Sequence, residues 1–483
     1  MSLQSYIIYL IFSSPTQNCC YLCHIKAIYI QYMKRDAIDF ENGQISSTFR
    51  KVLIPTLLGT LSMSAMTAID GIIVGHGVGA MGVGAVNIVM PIYLLMSGLA
   101  LMMGAGCSVV ASIHLAQQRL KVARLNITQA LVASSLIAAL ISAVILIYPE
   151  EIITALGASP TLLPYVMDYT LWLMPGFVFE MFSIIGLFII RLDGAPRYAM
   201  WCNIIPAVLN AILDWVFIFP MNMGVKGAGV ATAICMVIGG IMALGYLVMP
   251  SHKLHTVMPK ISAKSLRLSL RNIYYQCRIG LSSLLGELSL AIFIYVGNVV
   301  FAHYLGDDGV SAFGISCYYT PLFFSVGNSI AQSAQPIISY NYGAQRWDNV
   351  SQIRRLLLRT SFIVGLFVAL LFVAVPELLV GMFVNLDTTA GAIAVEGFPY
   401  YATGIIFFIL NIAIIGYYQS IERVWRATLI VILRGVVFVV PCFMLLPSLL
   451  GIPGIWLAMP LAEALTLCVT LLVAYIATRR QGA

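Results

Sequence analysis

Long apolar runs, each close to twenty residues and divided by short polar stretches, set the rhythm of this chain. An α-helix needs about 20 apolar residues to cross roughly 30 Å of hydrocarbon. Twelve such runs can be read, near 53–75, 86–109, 127–148, 167–190, 198–219, 228–249, 279–301, 312–334, 357–376, 397–418, 427–447 and 452–476. Strict alternation of apolar and polar residues is absent, which argues against a transmembrane barrel. The pattern predicts an all-α polytopic membrane protein of about twelve transmembrane helices. Composition agrees, with 60% hydrophobic and only 9% charged residues. A soluble domain carries about a quarter charged residues, so most of this surface faces lipid.

The net charge of +7 invites a nucleic-acid partner, and its distribution rejects one. Lys and Arg gather in alternate loops: Arg50/Lys51, Arg119/Lys121/Arg124, Arg191/Arg197, the stretch Lys253–Arg278, Arg346 to Arg359, Arg423/Arg426 and Arg479/Arg480. The intervening loops hold Glu150, Glu151, Asp307, Asp308, Glu377 and Asp387, with Lys226 as their one base. This is positive-inside asymmetry, and it places both termini in the cytoplasm. A multi-pass protein of the cytoplasmic (inner) membrane is expected.

Of ten cysteines, most stand singly within apolar runs, where a free thiol packs as a small apolar group. "CYLCH" (Cys20–His24) matches the spacing for covalent haem attachment. It precedes the first span on the reducing side, with no companion feature for electron transfer, so no cofactor is assigned. Residues 1–44 are expected to be a disordered tail or an over-extended start, with Met33 a more natural beginning.

The chain also repeats itself. A shift of 227 positions lays "LLGTLS" (Leu57–Ser62) on "LLGELS" (Leu284–Ser289), and His76 on His303. In the same register Gly79, Gly82 and Ala85 fall on Gly306, Gly309 and Ala312. Ser112, Gln118 and Arg119 fall on Ser339, Gln345 and Arg346, and Pro220, Gly224 and Gly227 on Pro447, Gly451 and Gly454. Each copy holds six spans, an even number, so both insert the same way round. The expectation is two six-helix bundles related by a pseudo-two-fold along the membrane normal, a transporter architecture with substrate between the halves. The first lobe is read over 45–250, the second over 279–478, with a basic cytoplasmic linker at 251–278.

Ionisable side chains within a membrane are costly and mark function by default. At 1.5 Å per residue, Asp70 lies about 28 Å past Lys51 and Asp214 about 26 Å past Arg197. Asn210 sits one turn below Asp214 on the same face, and Thr232, six residues past Lys226, descends to a similar level. These four residues can therefore meet in the outer part of the first lobe. Two carboxylates in a poorly solvated pocket do not both stay ionised, so one is expected to hold a proton. The same oxygens would suit Na⁺, and no metal cluster is otherwise indicated. The second lobe carries Glu287 and Arg434 about 12–14 Å deep, with Glu463 at a comparable level. One of the two acids is expected to pair with Arg434, because buried charges persist mainly as pairs. Glu180, mid-span in the first lobe, is a weaker candidate.

The motifs together resemble the multidrug and toxic compound extrusion (MATE) family, in its DinF-like branch. The resemblance rests on "AIDGIIVGHGVGAMGVGAVN" (Ala68–Asn87), "NAILDWVFIF" (Asn210–Phe219), "MGVKGAGVATA" (Met223–Ala233) and "AQPIISYNYGAQR" (Ala334–Arg346), and covers about residues 45–478. It implies a cation site at Asp70, Asn210, Asp214 and Thr232, and a first-span hinge at Pro55. It also matches Glu287 to a coupling glutamate of the NorM-like branch. That branch's tenth-span aspartate has no counterpart here, Asn411 being the polar residue nearest its place.

The function expected is that of a cation-coupled (H⁺ or Na⁺) antiporter, acting as a monomer and exporting organic cationic or amphipathic small molecules by alternating access. A lipid-linked oligosaccharide flippase is the nearest rival. It needs cationic groups for pyrophosphate, and Arg434 is the lone base well inside a span. An enzyme is not expected, since the short loops offer no nucleophile–base set or phosphate loop.

Overall fold

A computed structural model describes residues 38–41, 43–258 and 262–481; the "CYLCH" stretch and Met33 lie outside them. The described residues form helices and connecting turns, with no strand among them. The first lobe comprises α1 (Ile45–Gly77), α2 (Ala80–Ala116), α3 (Leu120–Ile147), the short α4 (Pro149–Ala155), α5 (Leu163–Leu173), α6 (Gly176–Leu192), α7 (Pro196–Ile218) and α8 (Val225–Val248). Helices α5 and α6 make one span bent by 54° at Pro175, whose ring removes a backbone donor. The second lobe comprises α9 (Ala263–Gly343), α10 (Trp347–Ala374), α11 (Pro376–Gly381), α12 (Thr389–Ser420), α13 (Val424–Ile432), a π-helical turn (Leu433–Val437), α14 (Val439–Leu450) and α15 (Ile452–Gln481). α9 is two spans joined at Gly306, whose φ of 63° and ψ of −152° are not helical. Divided there, and with α13 to α14 taken as one span, the bundle has six spans per lobe.

Two features differ from the sequence expectation. Many helices overrun their apolar windows, α1 starting at Ile45 rather than near 53 and α2 ending at Ala116 rather than near 109. Hydropathy marks hydrocarbon, whereas hydrogen bonding continues through the interface. For the same reason the linker at 251–278 is shorter than its charge run: Ser262 accepts from the Ser265 amide at 3.1 Å, caps α9, and turns the rest into helix.

The backbone carries the repeat more faithfully than the side chains do. Gly79 and Gly306 have φ of 83° and 63°, Gly224 and Gly451 have 59° and 66°, and Gln118 and Gln345 have 60° and 59°. Tyr148 and Val375, each preceding a proline that starts a short helix, adopt −123°/54° and −137°/51°. Every pair is 227 residues apart. A non-glycine residue with positive φ is uncommon, so its recurrence at Gln118 and Gln345 is strong evidence of a duplicated unit.

The lobes meet chiefly along α2 and α9. A Cβ on Gly106 would lie 2.0 Å from the Gln276 carbonyl oxygen, and one on Gly280 1.8 Å from that of Met102. Backbone therefore touches backbone, as small residues permit between membrane helices. Side chains add Thr60 to Ser329 at 2.5 Å, Ser64 to Ser325 at 3.2 Å, Gln335 to the Ala105 carbonyl at 3.0 Å and Arg191 to Gln332 at 2.9 Å. Among the described residues no inter-lobe hydrogen bond lies nearer the acidic-loop end than Ser64. From Ala65 to Ile72, α1 is mostly exposed, Asp70 excepted. The lobes are thus clasped toward the end with the basic loops and part toward the other.

Candidate functional site

Four helices converge on the acids of the first lobe. Asp70 comes from the last turns of α1, Asn210 and Asp214 from successive turns of α7, and Thr232 from the second turn of α8. The fourth helix, α5, contributes Tyr169. Asp214 and Asn210 are wholly buried and Asp70 is 8% exposed. The Asn210 amide reaches the Thr232 hydroxyl at 3.4 Å. Tyr169 lies beside Thr232 and both carboxylates. Cys235 borders Asn210 and Asp214.

The Asp70 and Asp214 carboxyls are within hydrogen-bonding reach of each other. Yet neither oxygen of Asp214, nor Asp70 Oδ1, meets a donor among the described residues. Two ionised carboxylates are both acceptors and cannot bond each other; a proton held between them is what makes the contact favourable. No Lys or Arg of the described residues pairs with either acid, so the negative charge has no fixed counter-ion. Two facing carboxyls without a basic partner have the chemistry of a site for a proton or a small cation. No trio of His, Cys, Asp or Glu side chains among the described residues could hold a multivalent metal.

The second lobe answers the open pairing question. Arg434 Nε and Nη2 donate to Glu463 Oε1 at 3.0 and 2.6 Å. Asn411 donates to Glu463 Oε2 at 2.7 Å and to its carbonyl at 2.9 Å. The guanidinium also lies 4.2 Å over the Phe408 ring. The π turn Leu433–Val437 aims Arg434 inward, while Gly435 admits Ser289, whose Oγ would be 2.1 Å from a Cβ there. This is a self-contained ion pair. Glu287 is left out of it.

Pro55 is buried within α1, which continues helically through it. Fifteen residues separate it from Asp70, about four turns along the same helix. Between the lobes, a cleft is lined by Phe324, Asn328, Gln332, Gln335, Gln419 and Arg434 among others. Sequence reading missed Tyr169, Tyr93 and the glutamines of this cleft. No spacing within one span shows which residues of another span these side chains face.

Six spans per lobe, an internal repeat and a cleft between the copies define a multi-pass membrane carrier built from two tandem bundles. The profile of the MatE family matches it twice, over residues 55–216 and 283–444, and the chain belongs to that family. The two matches are offset by 228 residues, within one residue of the repeat length. "Multidrug export protein MepA" of Staphylococcus aureus is 22% identical over 454 residues, covering 90% of this chain and 95% of that protein. The protein of the same name from Staphylococcus saprophyticus is 24% identical over 449 residues, with the same coverages. Among solved structures, an outward-facing multidrug resistance MATE family transporter superposes with a TM-score of 0.85 at 20% identity, covering 92% of this chain and 98% of that one. A transporter from Pyrococcus furiosus, described as having a binding pocket of reversed polarity, gives 0.84 at 19% over the same shares.

Proposed function

We propose that this protein is a cation-coupled antiporter that exports organic, cationic or amphipathic small molecules from the cytoplasm. The observation that carries the reading is the Asp70–Asp214 contact: two buried carboxyls face each other with no basic partner. Exchange of a proton or Na⁺ at that contact changes the charge buried in the first lobe by one unit. Burying an uncompensated charge is costly, so the lobe that has lost its cation favours a different packing of α1, α5, α7 and α8. Pro55, which interrupts the α1 ladder, supplies the compliance for α1 to respond. The amide-rich cleft between the lobes takes the substrate, and the two bundles rock about it.

The protein acts as a monomer in the cytoplasmic membrane, with the basic loops and both termini on the cytoplasmic side. Its relatives named for multidrug export support a broad substrate range. The flippase reading is disfavoured because Arg434 is already held by Glu463, leaving no free base of the second lobe's core to meet a pyrophosphate. The test is substrate-driven change of internal pH in vesicles of purified protein, with and without Na⁺. Proton movement that follows substrate and survives sodium removal is the expected result. Export unaffected by either ion gradient overturns the reading.

A further inference from the structure

The first turns of α9 precede its apolar run, which opens near 279, yet they pack beside a span. Gln129 of α3 donates to Ser269 Oγ at 2.7 Å and accepts from Asn272 at 3.2 Å, while Gln276 donates to Asn126 Oδ1 at 2.8 Å. Gln129 stands inside the apolar run 127–148, so the base of α9 lies at the edge of the hydrocarbon. Helical residues advance by about 100° each, which puts the bonded Ser269, Asn272 and Gln276 on one face. Leu266, Leu270 and Tyr274 share another, turned away from α3, and they are 63%, 60% and 68% exposed. Arg267, Arg271 and Arg278 form a stripe alongside that apolar one. All three are exposed, and none makes a hydrogen bond or ion pair among the described residues. No Asp or Glu occurs from Ala263 to Gly286. At the far edge of the basic stripe, the Tyr275 hydroxyl donates to Glu422 of the second lobe at 2.7 Å, and that acid pairs with none of the three arginines.

We propose that the base of α9 binds an anionic phospholipid of the leaflet at the end with the basic loops. The arginines take the phosphate, which a guanidinium matches with paired donors, and the apolar stripe takes the acyl chains. Apolar and basic stripes side by side are the pattern of a helix that lies in a membrane interface. A lipid-facing span would not carry three unpaired arginines, and a solvated helix would not expose three large apolar side chains in a row. A protein partner would suit the apolar stripe but not its place beside α3 at the hydrocarbon edge. A nucleic acid would suit the arginines but not Leu266 and Leu270. The site lies where both lobes are touched, α3 on one side and Glu422 on the other. It stands independently of the antiporter reading.

The test is native mass spectrometry of the full-length protein in a neutral detergent, titrated with phosphatidylglycerol and, separately, with phosphatidylcholine. Phosphatidylglycerol should bind about tenfold more tightly or better. R267Q/R271Q/R278Q should lose that preference, at about fivefold per arginine, whereas R267K/R271K/R278K should keep most of it. R119Q/K121Q/R355Q removes as many exposed charges elsewhere at the basic end and should bind as the unaltered protein does. L266Q/L270Q should weaken both lipids severalfold. Monodisperse elution verifies that each variant is folded, and R267Q or R271Q alone replaces the triple glutamine variant if that one aggregates. A preference that survives loss of the arginines, or falls as far in R119Q/K121Q/R355Q, overturns the proposal. So does full competition by glycerol phosphate, which marks a site for free phosphate, or a protein that co-purifies on this face in place of lipid and is released by the arginine variants.

Discussion

At Asp70 the first lobe keeps a carboxylate. One repeat length on, the second lobe has Gly297, and its space is taken by Phe313, whose ring would stand 2.2 Å from a Cβ added there. Phe313 stacks on Phe301 at 4.5 Å, and Trp456 meets Phe301 edge-on at 4.9 Å. The position matching Trp456 in the first lobe is Gly229, where the Tyr169 backbone approaches instead. In the other direction, Asn411, Arg434 and Glu463 correspond to Ile184, Ala207 and Met236. One scaffold has thus been finished in two ways. The first lobe holds acids without a base and the second an ion pair closed on itself, with aromatic packing where the acids would stand. A group that must change charge during a cycle cannot also be locked to a fixed counter-ion; under the proposed function the first-lobe acids are the group free to change, and the Arg434–Glu463 pair is the fixed one.

The comparison is broken most directly by neutralising its active side. Asp214→Asn and, to a similar extent, Asp70→Asn should lower coupled export in vesicles by about a hundredfold, since removing either acid removes the shared proton. Both variants should keep their thermal stability, because an amide at either position can still hydrogen-bond the remaining carboxyl.

Glu463→Gln attacks the other side. It leaves Arg434 buried and uncompensated, and breaking a buried pair from one end costs about 3–5 kcal/mol. A marked fall in the unfolding temperature in detergent is expected, and Arg434→Met added to Glu463→Gln should restore most of it. If Glu463→Gln unfolds normally but loses proton coupling, the division between the lobes is wrong.

Two smaller effects sharpen the contrast. Tyr169→Phe deletes a polar group beside Thr232 and the carboxyls, and should slow export severalfold with no loss of fold. Thr232→Val should act in the same direction and more weakly, and combined with Tyr169→Phe should give less than the sum, as residues in one network do. Initial export rates over a pH series measure both.

Much of this was legible in the residues. Span count, the tandem repeat and the gathering of Asp70, Asn210, Asp214 and Thr232 followed from hydropathy, a constant offset and the rise per residue, because helices crossing a slab turn sequence distance into depth. What depth could not supply was azimuth. Glu287, Glu463 and Arg434 sit at similar levels, so only side-chain direction separates the paired acid from the unpaired one, and the π turn that aims Arg434 has no signature in composition. The extra helical turns beyond each apolar window were illegible because hydropathy reports the solvent and not the hydrogen-bond ladder.

The paired approach at Gly106 and Gly280 has a consequence for how the molecule can diversify. Where carbonyl rests against α-carbon, the halves meet at an axle with no room for a side chain between them, and Val109, Ile113 and Ile279 pack together beside it. Any larger residue at either place would jam that bearing. Variation in what is carried must therefore accumulate on the walls of the cleft, while the axle stays bare.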